Sequence, residues 1–149
     1  MPKTLHNIIV VDDDCISLFL ITKILDEQQI TKNILSFTDG ISALQYLSAN
    51  AQDFYKLPEV IFLDIKMPQL SGWQFLQQLN NINFINDYKP AVFIISADIN
   101  IDFKMRETFP LIKGHFVKPI KTVKLLTLLE SFEMKFENNN LPEKVATLI

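Results

Sequence analysis

Cysteine is almost missing from this chain. Cys15 stands alone, so no internal disulfide can form, and the carboxylates of Asp12, Asp13 and Asp14 beside it oppose a reactive thiolate. Long apolar runs are missing too: none approaches the roughly 18 residues that span a bilayer, and Met1 to Asn7 leads into a strand-like run without a signal-peptide core. The expectation is a cytoplasmic protein with no membrane insertion. Basic residues are outnumbered, 14 against 17 acidic, for a net charge of -3. Phosphate backbones are bound by clustered Lys and Arg, and those here are dispersed along the sequence, so direct DNA binding is not expected. Internal repeats and low-complexity tracts are also lacking.

What is present fits one folded domain. The 149 residues lie in the usual single-domain range, and 48% hydrophobic with 21% charged residues is enough apolar material for a core. Strand-length apolar runs occur at Ile8-Ile9-Val10-Val11, Val60-Ile61-Phe62-Leu63, Ala91-Val92-Phe93-Ile94-Ile95 and His115-Phe116-Val117, with a weaker one at Ile34-Leu35-Ser36-Phe37. Their continuous hydrophobicity marks strands covered on both faces, as in a parallel sheet between helices. Helical spacing fills the gaps: Cys15 to Gln28, Gly40 to Asn50, Gly72 to Asn81, Ile101 to Phe109 and Lys121 to Phe136. Strand and helix alternate five times, which predicts a doubly wound α/β fold with ligands beyond the carboxyl ends of the strands. Asn81 to Lys89, and the segment 137–149 after the last helix, read as surface additions.

At those strand ends stand Asp12-Asp13-Asp14, Asp64, Ser96 and Lys118-Pro119. Carboxylates held together repel one another and call for a cation; hard oxygen ligands suit Mg²⁺, and Mn²⁺ would be accepted as well. A Ser96 hydroxyl and a Lys118 ammonium on the same rim suit the equatorial oxygens of a transferring phosphoryl group. Asp64 is then a chemically reasonable covalent acceptor.

The blocks Val10-Val11-Asp12-Asp13, Leu63-Asp64-Ile65-Lys66-Met67-Pro68 with Gly72, Ile95-Ser96-Ala97 and Val117-Lys118-Pro119, in that order, resemble response-regulator receiver domains over about residues 7 to 136. The resemblance implies a five-stranded parallel sheet in the order 2-1-3-4-5, a receiver domain over 1–136, and a tail over 137–149 with no output domain. It implies that Asp12, Asp13, Asp64 and the backbone carbonyl of Lys66 hold Mg²⁺, that Asp64 accepts the phosphoryl group, and that Ser96 and Lys118 contact it. The Lys118-Pro119 peptide matches one that is usually cis. His115 occupies the place of the usual aromatic switch residue. Lys66 and Asp98 match two positions that tune phosphoryl lifetime, and their opposite charges suggest a pair. The implied partners are a sensor histidine kinase or histidine phosphotransfer protein and a downstream protein. The chain would phosphorylate itself and turn over no external metabolite.

Plainer roles fit some residues. Asp14 suits a helix N-cap, His6 the surface, and Trp73 packing on the third helix. The first helix is more apolar than one core stripe requires, and the surplus, Leu18 and Ile21, fits either docking of a phosphodonor or, equally, wide burial against neighbouring helices. Among other functions, a haloacid-dehalogenase-type phosphatase would want a second Asp where Lys66 stands, and a flavodoxin-like carrier would want a phosphate loop where Asp12 to Asp14 stand. A phosphorylation-independent pseudo-receiver would share the fold, but the intact Asp12, Asp13, Asp64, Ser96 and Lys118 argue against it.

Overall fold

A computed structural model describes residues 4–98, 100 and 103–138, with side chains described up to Phe132 except that of residue 103. The expectations for residues 101 and 102 and for the tail from 139 onward fall outside these residues. Five strands, β1 (Leu5–Val11), β2 (Thr31–Phe37), β3 (Val60–Asp64), β4 (Ala91–Ser96) and β5 (Ile112–Val117), alternate with five helices, α1 (Cys15–Glu27), α2 (Gly40–Ala49), α3 (Gly72–Leu79), α4 (Phe103–Thr108) and α5 (Thr122–Asn138). All strand pairs are parallel, and the order is β2-β1-β3-β4-β5, as expected.

Every residue of β3 and β4 is buried, because helices cover both faces and water reaches neither. Alternate side chains serve the two layers. Ile61, Leu63, Val92 and Ile94 join Leu44, Leu47, Phe75 and Leu76 of α2 and α3. Val60, Phe62, Phe93 and Ile95 join Ile21, Leu25, Leu125 and Leu129 of α1 and α5. Phe62, Phe93 and Phe116 cluster in this second layer, with ring centroids 5.7 to 6.0 Å apart, and each buried ring contributes roughly 1.5–3 kcal/mol. β5 alternates buried and more exposed residues as an edge strand does, so its apolar signal is confined to its end and the sequence shows only half of it.

Local chemistry sets the helix starts. Asp14 caps α1, its Oδ1 accepting the Ile16 N–H at 3.0 Å, which bears out the cap reading. Ser71 and Gln74 form a reciprocal capping box on α3. Burial of Ile21 and Leu25 shows which face of α1 meets the sheet, and of the two readings of its apolar surplus it favours burial for Ile21. Ile21 is buried and Leu18 partly so, while Ile16, Phe19 and Leu20 are exposed at 72%, 62% and 43%.

The connection over 81–89 does not simply lie on the surface. Phe84 is buried, Ile82, Ile85 and Tyr88 pack on the core, and the Tyr88 hydroxyl donates to the Pro58 carbonyl at 2.6 Å. His6 is half-buried, its N–H donating to the Glu59 carboxylate. Trp73 is half-buried and stacks on Phe109, with ring centroids 6.3 Å apart.

Candidate metal and phosphoryl site

Strand register builds the site. Val11 lies beside Leu63, Asp64 beside Ile95, and Ser96 beside Val117, so the strands end at one level. The next residues out, Asp12 and Lys118, therefore join Asp64 and Ser96 on one rim. Two backbone bonds carry the register past the strand ends: Asp12 N–H donates to the Phe37 carbonyl at 3.1 Å, and Lys118 N–H to the Ser96 carbonyl at 2.8 Å.

Asp12, Asp64 and Ser96 are the buried polar residues among those described, at 0%, 4% and 4% exposure. A carboxylate oxygen from each of Asp12, Asp13 and Asp64 lies within 4.8 Å of the others, with Asp13 exposed. Lys118 Nζ approaches Asp12 Oδ2 at 2.9 Å and Asp64 Oδ2 at 3.4 Å. Asp12 Oδ1 accepts the Asp14 N–H at 2.9 Å, whereas Asp12 Oδ2 is buried without a hydrogen bond of good geometry, so the ammonium meets it as a charge only.

The electrostatics follow from this crowding. Burial pushes the Asp64 carboxyl up to about 7; the Asp12 charge adds to the effect and Lys118 opposes it. Burial also works against the Lys118 charge, but the Asp12 and Asp64 carboxylates outweigh it and hold Lys118 above its ordinary value. Converging hard oxygens with an unsatisfied buried oxygen among them fit a small divalent cation such as Mg²⁺.

The structure brings Asp12, Asp13, Asp64, Ser96 and Lys118 together and makes the Lys118-Pro119 peptide cis. Ser96 Oγ accepts the Asp98 N–H at 3.0 Å and donates to no acceptor among the described residues. Lys66 is exposed in the turn after β3. The suggested Lys66 to Asp98 pair is not formed. Asp98 Oδ1 instead accepts the Asn100 N–H at 2.9 Å, a local turn bond that needs no long side chain to be ordered. His115 is half-buried on β5, and its Nε2 is buried without a partner. Burial, then Lys124 and Arg106, lower its pKa and keep the imidazole neutral.

Gly72 lets the turn after β3 close on the site. Its N–H donates to the Ile65 carbonyl at 2.9 Å, and a Cβ there would stand 2.5 Å from the Asp64 carbonyl oxygen and 2.9 Å from Ile65 Cα. Sequence reasoning named this glycine from its motif and did not see this contact. It also missed that Lys118 leans toward Asp12 more closely than toward Asp64.

Residues 8–130 match the family model described as the response regulator receiver domain. Hybrid signal transduction histidine kinase L of Dictyostelium discoideum is 29% identical over 136 residues, which cover 87% of this chain and 7% of that protein. This chain thus spans a small fraction of that relative's length. Among solved structures, a two component response regulator from Cytophaga hutchinsonii has a TM-score of 0.76 at 23% identity, covering 87% of this chain and 97% of that one. The receiver domain of the histidine kinase CKI1 from Arabidopsis thaliana, crystallised with Mg²⁺ and BeF₃⁻, has a TM-score of 0.70 at 20% identity, covering 85% and 90%. Those two likenesses bear on the fold; the family model, spanning most of the chain and all four sequence blocks, places this protein among the response-regulator receiver domains.

Proposed function

We propose that this receiver is a self-phosphorylating switch that takes a phosphoryl group onto Asp64 from a phosphohistidine and turns over no external metabolite. The observation that carries this reading is the convergence of Asp12, Asp13 and Asp64 with the Lys118 ammonium and the Ser96 hydroxyl on one rim. An oxygen of ionised Asp64 bonds to phosphorus as the phosphorus–nitrogen bond of the donor breaks; the imidazole nitrogen leaves with that electron pair and takes up a proton. Lys118, 3.4 Å from Asp64 Oδ2, is placed to meet the added negative charge. Ser96 Oγ–H has its proton uncommitted and would donate it to a phosphoryl oxygen. Mg²⁺, held by Asp12, Asp13, Asp64 and the Lys66 carbonyl as in the family, would neutralise carboxylates and phosphoryl oxygens together; the Mg²⁺ in the Arabidopsis receiver structure supports this.

The donor is a sensor histidine kinase or a histidine phosphotransfer protein. Ile16, Phe19 and Leu20, exposed on α1 beside the acidic rim, provide its apolar landing stripe. The output is a change of packing around His115 and Ser96, passed on by protein contact or by onward phosphotransfer. His115 is suited to this, because its buried Nε2 gains a partner if the ring turns outward.

Incubation with Mg²⁺ and acetyl phosphate, followed by intact-mass measurement, tests the reading. The expected result is a metal-dependent gain of one phosphoryl group, about 80 Da, absent in Asp64→Asn. An unchanged mass in both proteins where Mg²⁺ demonstrably binds would remove the phosphoacceptor role.

A further inference from the structure

The end of the sheet opposite the phosphoryl rim holds a cleft that the switch chemistry does not use. The 81–89 connection and the starts of β4 and β5 line about 840 Å³ there. Both apolar layers reach it: Ile82 and Leu111 from the layer of α2 and α3, and Phe132 from that of α1 and α5. Small-molecule sites have this character, with volumes of roughly 300–1,000 Å³, apolar walls and a few fixed polar groups. The walls are held in place. The Tyr88 hydroxyl donates to the Pro58 carbonyl at 2.6 Å, Gln52 Nε2 to the Asn83 carbonyl at 2.9 Å, and the Ile85 N–H to the Ala51 carbonyl at 2.9 Å, which pins the 81–89 connection to the one between α2 and β3. Phe132 packs edge-on against Phe93, with ring centroids 5.9 Å apart. A ligand would therefore meet a surface that is already ordered.

Three charged groups line the cleft: Lys89, Lys113 and Asp87. All are exposed, and none has an ion-pair partner among the described residues. The backbone is irregular at two of them. Val92 pairs with Ile112 and Phe93 with Gly114, so Lys113 is an extra residue in β5 with no partner in β4, the kind of bulge that re-aims a side chain. Lys113 Nζ donates to the Pro110 carbonyl on the cleft wall at 3.1 Å, a bond that uses one of the ammonium's donors and leaves the others for a ligand. Asn86 and Asp87 both take the left-handed backbone, at φ 53° and 54°, which L side chains adopt only at a cost. That turn places Asp87 on the opposite wall from the β5 lysine, in the connection that closes the cleft.

We infer that this cleft binds a small amphipathic monoanion, a carboxylate carrying an aromatic or branched aliphatic body. The carboxylate meets the ammoniums of Lys89 and Lys113, and the body covers Ile82, Leu111 and Phe132. Two ammoniums against one carboxylate leave a single excess positive charge, which a monoanion neutralises. Asp87 sets the specificity, because it repels polyphosphates and other multiply charged anions more than it repels a single carboxylate. The cleft lies at the amino ends of the strands and the acceptor site at their carboxyl ends, so the inference stands independently of the phosphoryl reading.

The test is titration of the full chain with naphthylacetate, beside the neutral naphthylacetamide, followed by calorimetry and by amide NMR spectra. The expected result is saturable binding of the carboxylate with a Kd of about 1 mM or lower, binding of the amide weaker by about fivefold or more, and shifts centred on Ile82, Leu111 and Lys113. Lys89→Gln combined with Lys113→Gln should bring the carboxylate down to the affinity of the amide. Asp87→Asn should tighten the carboxylate by about twofold or more. Should the double variant melt early, Asp87→Asn alone serves, since asparagine tolerates the left-handed backbone. No saturable binding, equal binding of carboxylate and amide, wild-type affinity in the variants, or shifts confined to Ile16, Phe19 and Leu20 of α1 would each overturn the inference. The acetyl phosphate adduct keeps the two readings apart. Variants that lose naphthylacetate but still gain the phosphoryl group implicate this cleft alone, whereas a wild type that binds naphthylacetate but takes no phosphoryl group would leave the inference standing and sink the switch.

Discussion

Lys118 Nζ stands 2.9 Å from Asp12 Oδ2, nearer than to Asp64 Oδ2 at 3.4 Å. One ammonium thus compensates two buried carboxylates, and Asp12 Oδ2 has no other partner. Lys118→Met keeps the aliphatic stem and removes the charge, leaving that oxygen buried and uncompensated. The expected result in urea unfolding at neutral pH with EDTA is a loss of up to about 3 kcal/mol, shrinking when millimolar Mg²⁺ replaces EDTA. A variant as stable as wild type in EDTA would remove the ion pair from the account.

Asp64 makes stability depend on pH in a direction opposite to that of most acidic residues. Its ordinary value is 3.8, and burial beside Asp12 raises it to about 7 in the folded protein. Below pH 3.8 the group is protonated whether the chain is folded or not. Between that value and about 7 the folded state keeps a proton that the unfolded chain releases, so this group's contribution is lost as pH rises through the window. Asp64→Asn removes the effect. In metal-free melts followed by circular dichroism, the variant is expected to match wild type near pH 4 and to exceed it increasingly toward pH 8. The same ionisation must precede metal binding, so Mg²⁺ is expected to raise the wild-type melting temperature more at pH 8 than at pH 5.5. A pH-independent difference between the two proteins would contradict the raised value.

Much of this was legible in the sequence, and the residues show why. Strands β3 and β4 announce themselves because burial on both faces leaves no polar position to interrupt them, and Asp12, Asp64, Ser96 and Lys118 follow from where β1, β3, β4 and β5 end. The phase of α1 was not legible. Seven of the ten residues from Ile16 to Leu25 are apolar, so the pattern cannot say which of them face the sheet; in the structure Ile21 and Leu25 are buried while Ile16, Phe19 and Leu20 face outward. Nor was the docking of the 81–89 connection, which depends on Phe84 and Tyr88 reaching residues distant in sequence. Opposite charges at Lys66 and Asp98 suggested a pair, but spacing carries no information on a competing turn bond to Asn100.

Gly72 is expected to be intolerant of any side chain. A Cβ would meet the Asp64 carbonyl oxygen at 2.5 Å and Ile65 Cδ1 at 2.7 Å, and the first of these is backbone at Asp64 itself. Gly72→Ala must push the end of β3 out of register with β4, at about 1–3 kcal/mol of stability in urea unfolding. Because the displaced backbone carries Asp64, the adduct formed with acetyl phosphate and Mg²⁺ should fall as well, even where the variant remains folded. A variant of wild-type stability and adduct yield would show that the turn relaxes without moving the acceptor.

Phe19 separates recognition of the donor from the chemistry. It is 62% exposed and lies in one stripe with the exposed Ile16 and Leu20. Phe19→Asp places a charge where an apolar donor surface would have to desolvate it, and removes no core packing. Phosphoryl transfer from a phosphorylated histidine phosphotransfer domain should then slow by about tenfold or more, a loss of the size expected for an apolar anchor at an interface. Labelling by acetyl phosphate, which needs no docking surface, should proceed at the wild-type rate, and the melting temperature should be unchanged or slightly raised. Equal slowing with both donors would place the effect at Asp64 and not on α1; no slowing with either would move the donor's landing site to another face.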